Sequence, residues 1–562
     1  MLIVKGRPAE ILGSKHASIK ANISHIEEQL KGQPQSVDEL RKFSDLDLDE
    51  MRQKLDKNEI TPLQLLRAFQ TKALELYHEG NSGICEFIKE AHAQVNDLTI
   101  SWDPGREKAP LYGIPISVKE LVSCAGYDTT YGLIKLCNRP AAEDSVLLKV
   151  LKAEGAIPFV LTSTSQMAFS LGGENVVFGD MHNPYSKNHQ QGGSSAGEAV
   201  LLTKGGSPVG IGNDAAGSIR IPSVFCGLAG LKPCSRRLSD KGQSNLLKDM
   251  VVCIKPCMGP MGRKVEHLAQ VMRTVLRPIM FELDPIVPPL PFDNYTYLGI
   301  SKPKLRIGYY TKFSDPRFIK PVPGVRNAVE RALNILRSRG HDIVEFDPPE
   351  PHQALEIYIR CLTADGGKNM LHVLKNEPLG EQCRGIQTLL RIPDPLRGIA
   401  DMIVRRTTGQ SLSLARMVTR SRSAESVIKL MNTVQDYCDI FRNTWLKAGD
   451  LDALVCPVWA CPAISKTMPF CYVSAPILFT CLYNILDYPA GTVPVGRISE
   501  EDVSAAMTEA EEFGKLGDAY HKNFFETQKG TEKLPVGVQV VGKPFQEELV
   551  LRVMREIERD QT

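Results

Sequence analysis

Two serines flanked by small residues are the first candidates for chemistry in this chain. Ser194 lies in QQGGSSAGE and Ser218 lies in NDAAGSIRIP, 24 residues further on. The apolar run 209–212 predicts a buried strand and the apolar spacing of 219–226 predicts a helix. Ser218 therefore lies where a loop becomes a helix, and its hydroxyl could attack a carbonyl there. A plain N-cap serine on a core helix is the other interpretation that this stretch allows.

The loop before Ser218 consists of small residues. Backbone N–H groups at a helix start have no partner within the helix and lie at the positive end of its dipole. Small side chains would let a substrate carbonyl approach these groups, which is how an oxyanion hole forms. The candidate donors are the N–H groups of Ala215, Ala216, Gly217 and Ser218.

The residues around Ser194 fit more than one motif. Ser195 and Glu198 match a capping box, S-x-x-E, which would use Ser195 structurally and leave the Ser194 hydroxyl free. Residues 193–197 also fit G-x-S-x-G, but that nucleophile elbow needs an apolar strand before it, and residues 183–191 are polar. The double glycine lacks the G-K-[ST] ending of a phosphate-binding loop.

Lys119 follows an apolar alternation of Ile114, Ile116 and Val118, which predicts a strand that starts near Pro115. In α/β sheets, functional sites gather beyond the carboxyl ends of strands. Burial away from carboxylates would lower the pKa of this lysine, so that a neutral amine could accept a proton. A solvated lysine at a strand end is the alternative.

Composition excludes several classes of function. The chain has 562 residues, 43% of them apolar, and a net charge of +2, which gives no basic surface for nucleic acid. Its 14 cysteines show no paired short spacings, so we expect no zinc site and reduced thiols in an intracellular setting. No apolar run reaches the roughly 18 residues of a spanning helix. The longest, 471–486, predicts a buried helical segment behind the site.

The elements that must position these residues alternate between strand and helix. Residues 146–160 predict a helix followed by a strand, and the stretch from 304 to 344 predicts a strand (304–310), a helix (323–339) and the start of another strand (343–344). Further strands are predicted at 451–457 and 534–541, and a last helix at 547–557, with a charged surface excursion at 499–533. This pattern favours an α/β fold with one mixed sheet covered by helices. We expect a helical arm at 1–45 and a single domain at 46–562.

Residues 380–425 differ from the rest. An apolar helical face is surrounded by arginines, and two prolines break an earlier helix; the face is formed by Leu396, Ile399, Met402 and Ile403. Such a face can lie in a membrane interface. It can equally pack on the core or form a dimer contact, so peripheral membrane contact through 386–406 is one of three interpretations.

Three stretches together resemble the amidase signature family: GIPISVKE (113–120), QGGSSAGE (191–198) and DAAGSIRIPSVFCGLAGLKP (214–233). LYNILDYPAGTVPV (482–495), residues 534–558 and RSRSAE (420–425) are similar to its fatty acid amide hydrolase branch. The resemblance covers roughly residues 45–560. It implies the amidase signature fold, without metal or cofactor.

The resemblance also implies roles for individual residues. Ser218 would be the nucleophile, Ser194 a bridging serine and Lys119 the base, with a cis peptide bond before Ser194. Asp214 and Arg220 would brace the nucleophile loop. The family often has Gly where this chain has Ala216, so the oxyanion pocket would be narrower.

The implied activity is hydrolysis of fatty acid amides, such as N-acylethanolamines and primary fatty amides, by a homodimer in the cytoplasm or on an internal membrane. Candidate residues for an acyl channel, with ordinary core packing as the alternative, are Ala168, Phe169, Tyr310 and Met370. A glutaminase-type amidotransferase subunit, a broad short-chain amidase or esterase, and an inactive binding protein are the other functions considered.

Overall fold

A mixed sheet of eleven strands runs through the described part of the chain. The computed structural model describes residues 6–32, 35–103, 105, 107–243, 246, 251–410, 414–418, 423–468, 472 and 475–559. The strands are β1 (Ile84–Phe87), β2 (Pro115–Lys119), β3 (Ile157–Thr162), β4 (Val209–Asp214), β5 (Ala229–Lys232), β6 (Cys257–Gly262), β7 (Arg306–Tyr309), β8 (Asp342–Glu345), β9 (Ala453–Pro457), β10 (Ala490–Arg497) and β11 (Pro535–Gly542).

The strand order is β1-β3-β2-β4-β6-β5-β10-β11-β9-β7-β8. Strand β2 pairs in parallel with β3 and β4, and β7 pairs in parallel with β8 and β9, whereas the remaining pairs are antiparallel. The predicted mixed sheet is confirmed. Pro115 starts β2 inside the sheet, where a missing N–H is tolerated because it is the first residue of the strand.

Helices flank this sheet. They are α1 (Arg7–Leu30), α2 (Val37–Ser44), α3 (Leu48–Asp56), α4 (Pro62–Glu79), α5 (Ala91–Ser101), α6 (Val146–Ala153), α7 (Ala196–Thr203), α8 (Arg220–Phe225), α9 (Val265–Val275), α10 (Pro278–Leu283), α11 (Asn294–Leu298), α12 (Pro323–Ser338), α13 (Pro351–Leu362), α14 (Lys368–Leu374), α15 (Glu381–Arg391), α16 (Arg397–Thr408), α17 (Leu414–Met417), α18 (Ala424–Lys447), α19 (Leu478–Ile485), α20 (Glu500–Lys515), α21 (Ala519–Glu526) and α22 (Glu547–Arg559).

The first helix lies directly against the edge strand β1. Its residues Ile19, Ile23 and Ile26 are buried. Lys15 is also buried; its ammonium contacts Glu86 of β1 and lies 2.8 Å from Asp128. Helix α1 therefore packs onto the sheet through both apolar and ionic contacts. The boundary at residue 45 itself stays a prediction.

Two segments outside the sheet were predicted with different success. Residues 499–533 are not a surface excursion, because α20 buries Val503 and Ala506 and α21 buries Phe524 and Phe525. The buried segment predicted at 471–486 is confirmed for α19, whose residues are all buried; residues 471, 473 and 474 lie outside the described residues. No described helix combines the length and apolar character needed to span a bilayer.

Candidate active site

Lys119 is the last residue of β2 and its side chain is completely buried. Its Nζ donates to Ser194 Oγ at 2.8 Å and to Ser195 Oγ at 3.1 Å, and it lies 3.5 Å from Asn213 Oδ1. A solvated lysine at a strand end is therefore excluded. The structure brings Lys119 and Ser194 together across 75 residues of chain.

Burial lowers the pKa of Lys119 to about 7. The expectation that carboxylates would be distant is wrong, because Asp214, Glu120 and Glu198 lie near enough to raise that pKa in opposition. Burial nevertheless outweighs the three carboxylates, since a charged amine loses most of its hydration there. In the described part of the chain Lys119 forms no ion pair. A substantial fraction of this amine is therefore neutral at neutral pH.

Ser195 occupies the N-cap position of α7, but the predicted capping box is wrong. The Ser195 hydroxyl accepts from Lys119 and contacts Asn213 instead of capping the helix. Glu198 turns into the core, where its carboxyl accepts from Ser117 and from Thr162 Oγ1, the latter at 2.6 Å. A buried carboxyl requires such donors, and this requirement overrides the local motif.

Ser218 follows β4 on the loop that leads into α8, as predicted. Its backbone carbonyl accepts from the Ser195 N–H at 3.1 Å, which joins the two serine loops. The Gly193–Ser194 peptide bond is cis, as the resemblance implied. No hydrogen bond joins the Ser194 and Ser218 hydroxyls in the part of the chain that is described. Such bonds are often long before substrate binds.

The predicted oxyanion donors are not equivalent. The Gly217 N–H donates to Asp214 Oδ1 at 2.8 Å, so it is already engaged. The N–H groups of Ala215, Ala216 and Ser218 have no hydrogen-bond acceptor among the described residues, and all three residues line the cavity in front of Ser218. These three N–H groups remain as the candidate donors.

Asp214 and Arg220 form a buried ion pair behind the nucleophile loop, with Arg220 Nη2 3.0 Å from Asp214 Oδ1. Burial would raise the pKa of Asp214, but the guanidinium and Asn484 hold that pKa well below its ordinary value. Arg220 also donates to Gln539 Oε1 at 2.6 Å and to Asn484 Oδ1 at 2.7 Å. The bracing role implied for this pair agrees with the geometry.

The loop is also held from α19, where Thr480 Oγ1 donates to the Ala216 carbonyl at 2.5 Å. Sequence reasoning did not identify Thr480, Asn484 or Gln539 as partners of the loop. Their stretches had been predicted only as a buried helical segment behind the site (471–486) and a strand (534–541). Because they lie about 260 to 320 residues from Arg220, no local pattern could have revealed these contacts.

Ser218 faces a largely apolar cavity of about 180 Å³. Three of the four residues predicted for an acyl channel line it: Ala168, Phe169 and Met370. Tyr310 does not line it, and that prediction is wrong: its hydroxyl lies 2.8 Å from the Tyr483 hydroxyl in the core. Residue 310 directly follows β7, whose position in the sheet directs the ring toward α19.

The cavity wall comes mainly from helices that sequence reasoning did not connect with the site. Helix α13 contributes Tyr358, Ile359 and Leu362, and α15 contributes an apolar face; that face consists of Ile386, Leu389 and Leu390. A larger cavity of about 860 Å³ lies between α1 and the start of α15. It contains none of the candidate catalytic residues, so the smaller cavity is the candidate active site.

Helix α16, together with its N-cap residue Leu396, presents the apolar face predicted within 386–406 to solvent. Its four members are between 50% and 60% exposed; they are Leu396, Ile399, Met402 and Ile403. Core packing is therefore excluded for this face, whereas the α15 part of the same region turns inward to the cavity. Residues 411–413 and 419–422, which include half of the RSRSAE stretch, lie outside the described residues.

The geometry suits acyl transfer. A buried amine of lowered pKa contacts Ser194, and Ser218 lies just before a helix beside unengaged N–H groups. Among the described residues, no group of three or more His, Cys, Asp or Glu side chains could hold a metal ion.

Comparison with known proteins adds to this picture. The family model described as Amidase matches residues 64–551. Fatty-acid amide hydrolase 1 of Sus scrofa is 37% identical over 92% of this chain and 85% of its own length. Fatty acid amide hydrolase 1 of Caenorhabditis elegans is 33% identical over 96% of this chain and 92% of its own. A solved fatty acid amide hydrolase superposes with a TM-score of 0.78 at 23% identity, covering 98% of this chain and 94% of that one.

Proposed function

Because the chain belongs to the amidase family and is a hydrolase of amide carbon–nitrogen bonds, we propose that it cleaves long-chain fatty acid amides through an acyl-enzyme on Ser218. The observation that carries this proposal is the position of Ser218 in a mainly apolar cavity. The buried Lys119 amine, 2.8 Å from Ser194 Oγ, supplies the base.

The proposed reaction starts with neutral Lys119. Its amine takes the Ser194 proton while Ser194 takes the proton of Ser218, whose Oγ attacks the amide carbonyl carbon. The unengaged N–H groups of Ala215, Ala216 and Ser218 stabilise the negative charge on the carbonyl oxygen.

The proton then returns through Ser194 to the amide nitrogen, and the carbon–nitrogen bond breaks. An amine leaves poorly unless it is protonated, so this return step is what allows amides to react. Water attacks the remaining ester by the same proton path, releases the fatty acid and restores Ser218.

The apolar cavity wall supports a long acyl chain as the substrate group. Burying an apolar chain contributes about 0.8 kcal/mol per CH₂, and the α13 and α15 faces supply apolar partners for it. Two similar proteins carry the name fatty acid amide hydrolase. We therefore favour N-acylethanolamines and primary fatty amides as the substrate class.

A hydrolysis series over acyl-chain length tests the proposal. We expect kcat/KM to rise from acetamide to long-chain primary amides, and L-glutamine to be a poor substrate. Preference for short amides would indicate a broad short-chain amidase, and rapid glutamine hydrolysis would indicate a glutaminase-type subunit.

Ser218→Ala provides the reference for every variant below. We expect it to lower kcat by at least ~10³-fold and to abolish labelling by a fluorophosphonate probe, because the attacking oxygen is gone. Ser235→Ala, at a serine outside the cavity, is the control and should label as the unchanged protein does. Undiminished labelling of Ser218→Ala would refute the assignment of the nucleophile.

The exposed face of α16 supports a second element of the proposal, peripheral contact with an internal membrane. Arg405 and Arg406 follow the apolar face on the same helix, which suits an anionic lipid surface. The fraction of protein that sediments with phosphatidylcholine–phosphatidylserine vesicles should be lower for Met402→Glu than for the unchanged protein. The control is Leu516→Glu, at an apolar residue exposed elsewhere. If Met402→Glu instead changes the mass measured by light scattering, the face is a homodimer contact.

A further inference from the structure

Glu198 is a completely buried carboxyl that the proposed reaction does not use. It lies in the first turn of α7, four residues after Ser194. Its Oε2 accepts from Thr162 Oγ1 at 2.6 Å, and its Oε1 accepts from the Ser117 hydroxyl. In the described structure its hydrogen-bond partners are these two hydroxyls, so the carboxyl forms a polar link inside the core.

The two partners of Glu198 lie on the strands around the lysine. Ser117 is two residues before Lys119 on β2, and Thr162 of β3 is the residue paired with Lys119 in the parallel register. One carboxyl thus ties the helix that carries the serine pair at its start to both of these strands.

Close backbone packing keeps the carboxyl in this place. A Cβ at Gly210 of β4 would overlap the Glu198 carboxyl, and a Cβ at Gly197 would overlap the backbones of Gly83 and Ser163. The Gly197 N–H donates to the Ser163 carbonyl at 2.9 Å. Helix α7 therefore starts in direct contact with the sheet, and Glu198 has little room to move.

We propose that Glu198 is a positioning residue for amide hydrolysis, because it holds α7 against β2 and β3 and so fixes the contact between Lys119 Nζ and Ser194 Oγ. The inference rests on the function proposed above. A displacement of about 1 Å between reacting groups can cost ~10²-fold in rate. Loss of this link should therefore impair turnover more than substrate binding.

The charges around Glu198 allow a second measurement, the pH dependence of activity. The charge of Lys119 lowers the pKa of Glu198. The charges of Asp214, Glu120 and Glu198 in turn raise the pKa of Lys119. Burial raises the pKa of Glu198 to about 7, so part of the Glu198 population is ionised near neutral pH. That negative charge favours the ammonium form of Lys119.

The decisive comparison is between Glu198→Leu, Glu198→Gln and a control on the same helix. We expect Glu198→Leu to lower kcat by ~10²-fold, with KM within about threefold and fluorophosphonate labelling slowed by the same factor as kcat. Glu198→Gln should restore most of kcat, because its amide can pair with both hydroxyls. The control Thr203→Val removes a bond from α7 to the Cys226 carbonyl, away from the site, and should keep kcat.

The pH profile tests whether the charge of Glu198 acts on Lys119. In Glu198→Gln a neutral group replaces the carboxylate, so the pKa of Lys119 should fall and the acid limb of kcat/KM should move to lower pH. If Glu198 only supports folding, Glu198→Leu would contain fewer active sites, titrated with the fluorophosphonate probe, but would keep kcat per active site, and this result would count against the proposal.

A variant that keeps Glu198 covers the case in which Glu198→Leu does not fold. Thr162→Val removes one partner of the carboxyl and should lower kcat by about tenfold. If Glu198→Leu or Thr162→Val folds and has the same kcat as the control Thr203→Val, the inference is overturned. If Ser218→Ala is inactive in that case, only the positioning role fails; if Ser218→Ala still turns over, the proposed function itself fails.

Discussion

The floor of the active-site cavity and its wall are built in different ways. The floor consists of strand ends and short loops around Lys119, Ser194 and Ser218, and it is held by buried hydrogen bonds and the Asp214–Arg220 ion pair. The wall consists of α13 and α15, which present apolar side chains. Directional bonds fix distances, whereas apolar contacts mainly fix volume. Substitutions should therefore change rates at the floor and substrate preference at the wall.

Removal of the base should have the largest effect at the floor. We expect Lys119→Ala to lower kcat on a fatty amide by ~10³-fold, because the amine leaving group requires the relayed proton. The loss on the matching methyl ester should be much smaller, since an alkoxide leaves more readily. Parallel kinetics on the amide and the ester measure this ratio. Equal losses on both substrates would contradict the relay.

Removal of the buried Asp214–Arg220 ion pair behind the floor should lower the stability of the protein. Arg220→Leu leaves the Asp214 carboxylate buried without its cation, and we expect the free energy of unfolding to fall by about 3–5 kcal/mol. The control is Arg442→Leu, which removes an exposed pair with Asp439 and should cost less than about 1 kcal/mol. Urea denaturation measures both. Similar losses of unfolding free energy for the two variants would show that the Asp214–Arg220 pair contributes no more to stability than an exposed pair.

The pH dependence of activity should report the protonation state of the Lys119 amine. The pKa of Lys119 is lowered to about 7 by burial, and the relay needs the neutral amine. Activity should therefore fall as pH decreases through about 7, with kcat/KM at pH 6 about one tenth of its plateau. A profile that stays flat from pH 8 to pH 5 would exclude Lys119 as the base.

The smallest effects should come from the wall. Ile386→Trp adds volume to α15 at the cavity, so we expect kcat/KM to fall several-fold for the longest acyl chains and little for short ones. The control is Thr388→Trp, at an exposed residue of the same helix that does not line the cavity. A uniform loss over all chain lengths would mean that the wall also sets the geometry of the floor.

The floor was largely predictable from sequence because its residues lie in short contiguous motifs. The strand before Lys119, the loop before Ser218 and the mixed sheet follow from local patterns of apolar and small residues. The capping box at Ser195 failed because the buried Glu198 found partners on β2 and β3, which no local motif encodes.

The wall was less predictable. Periodicity identified apolar helical residues within 386–406 but not what they face, so the cavity-lining residues of α15 were grouped with the exposed face of α16. Tyr310 failed for the same reason, because its tertiary partner Tyr483 lies 173 residues away. Amphipathic spacing defines one side of a helix, while its partner depends on the whole fold.

The ionic contact of Lys15 has a consequence for the edge of the sheet. Strand β1 is an outer strand, and outer strands expose backbone groups that recruit other chains. Helix α1 shields this strand, and its ammonium is the countercharge for Glu86 and Asp128. Proteolytic loss of α1 would thus both uncover a template for aggregation and leave two carboxylates facing each other without a cation.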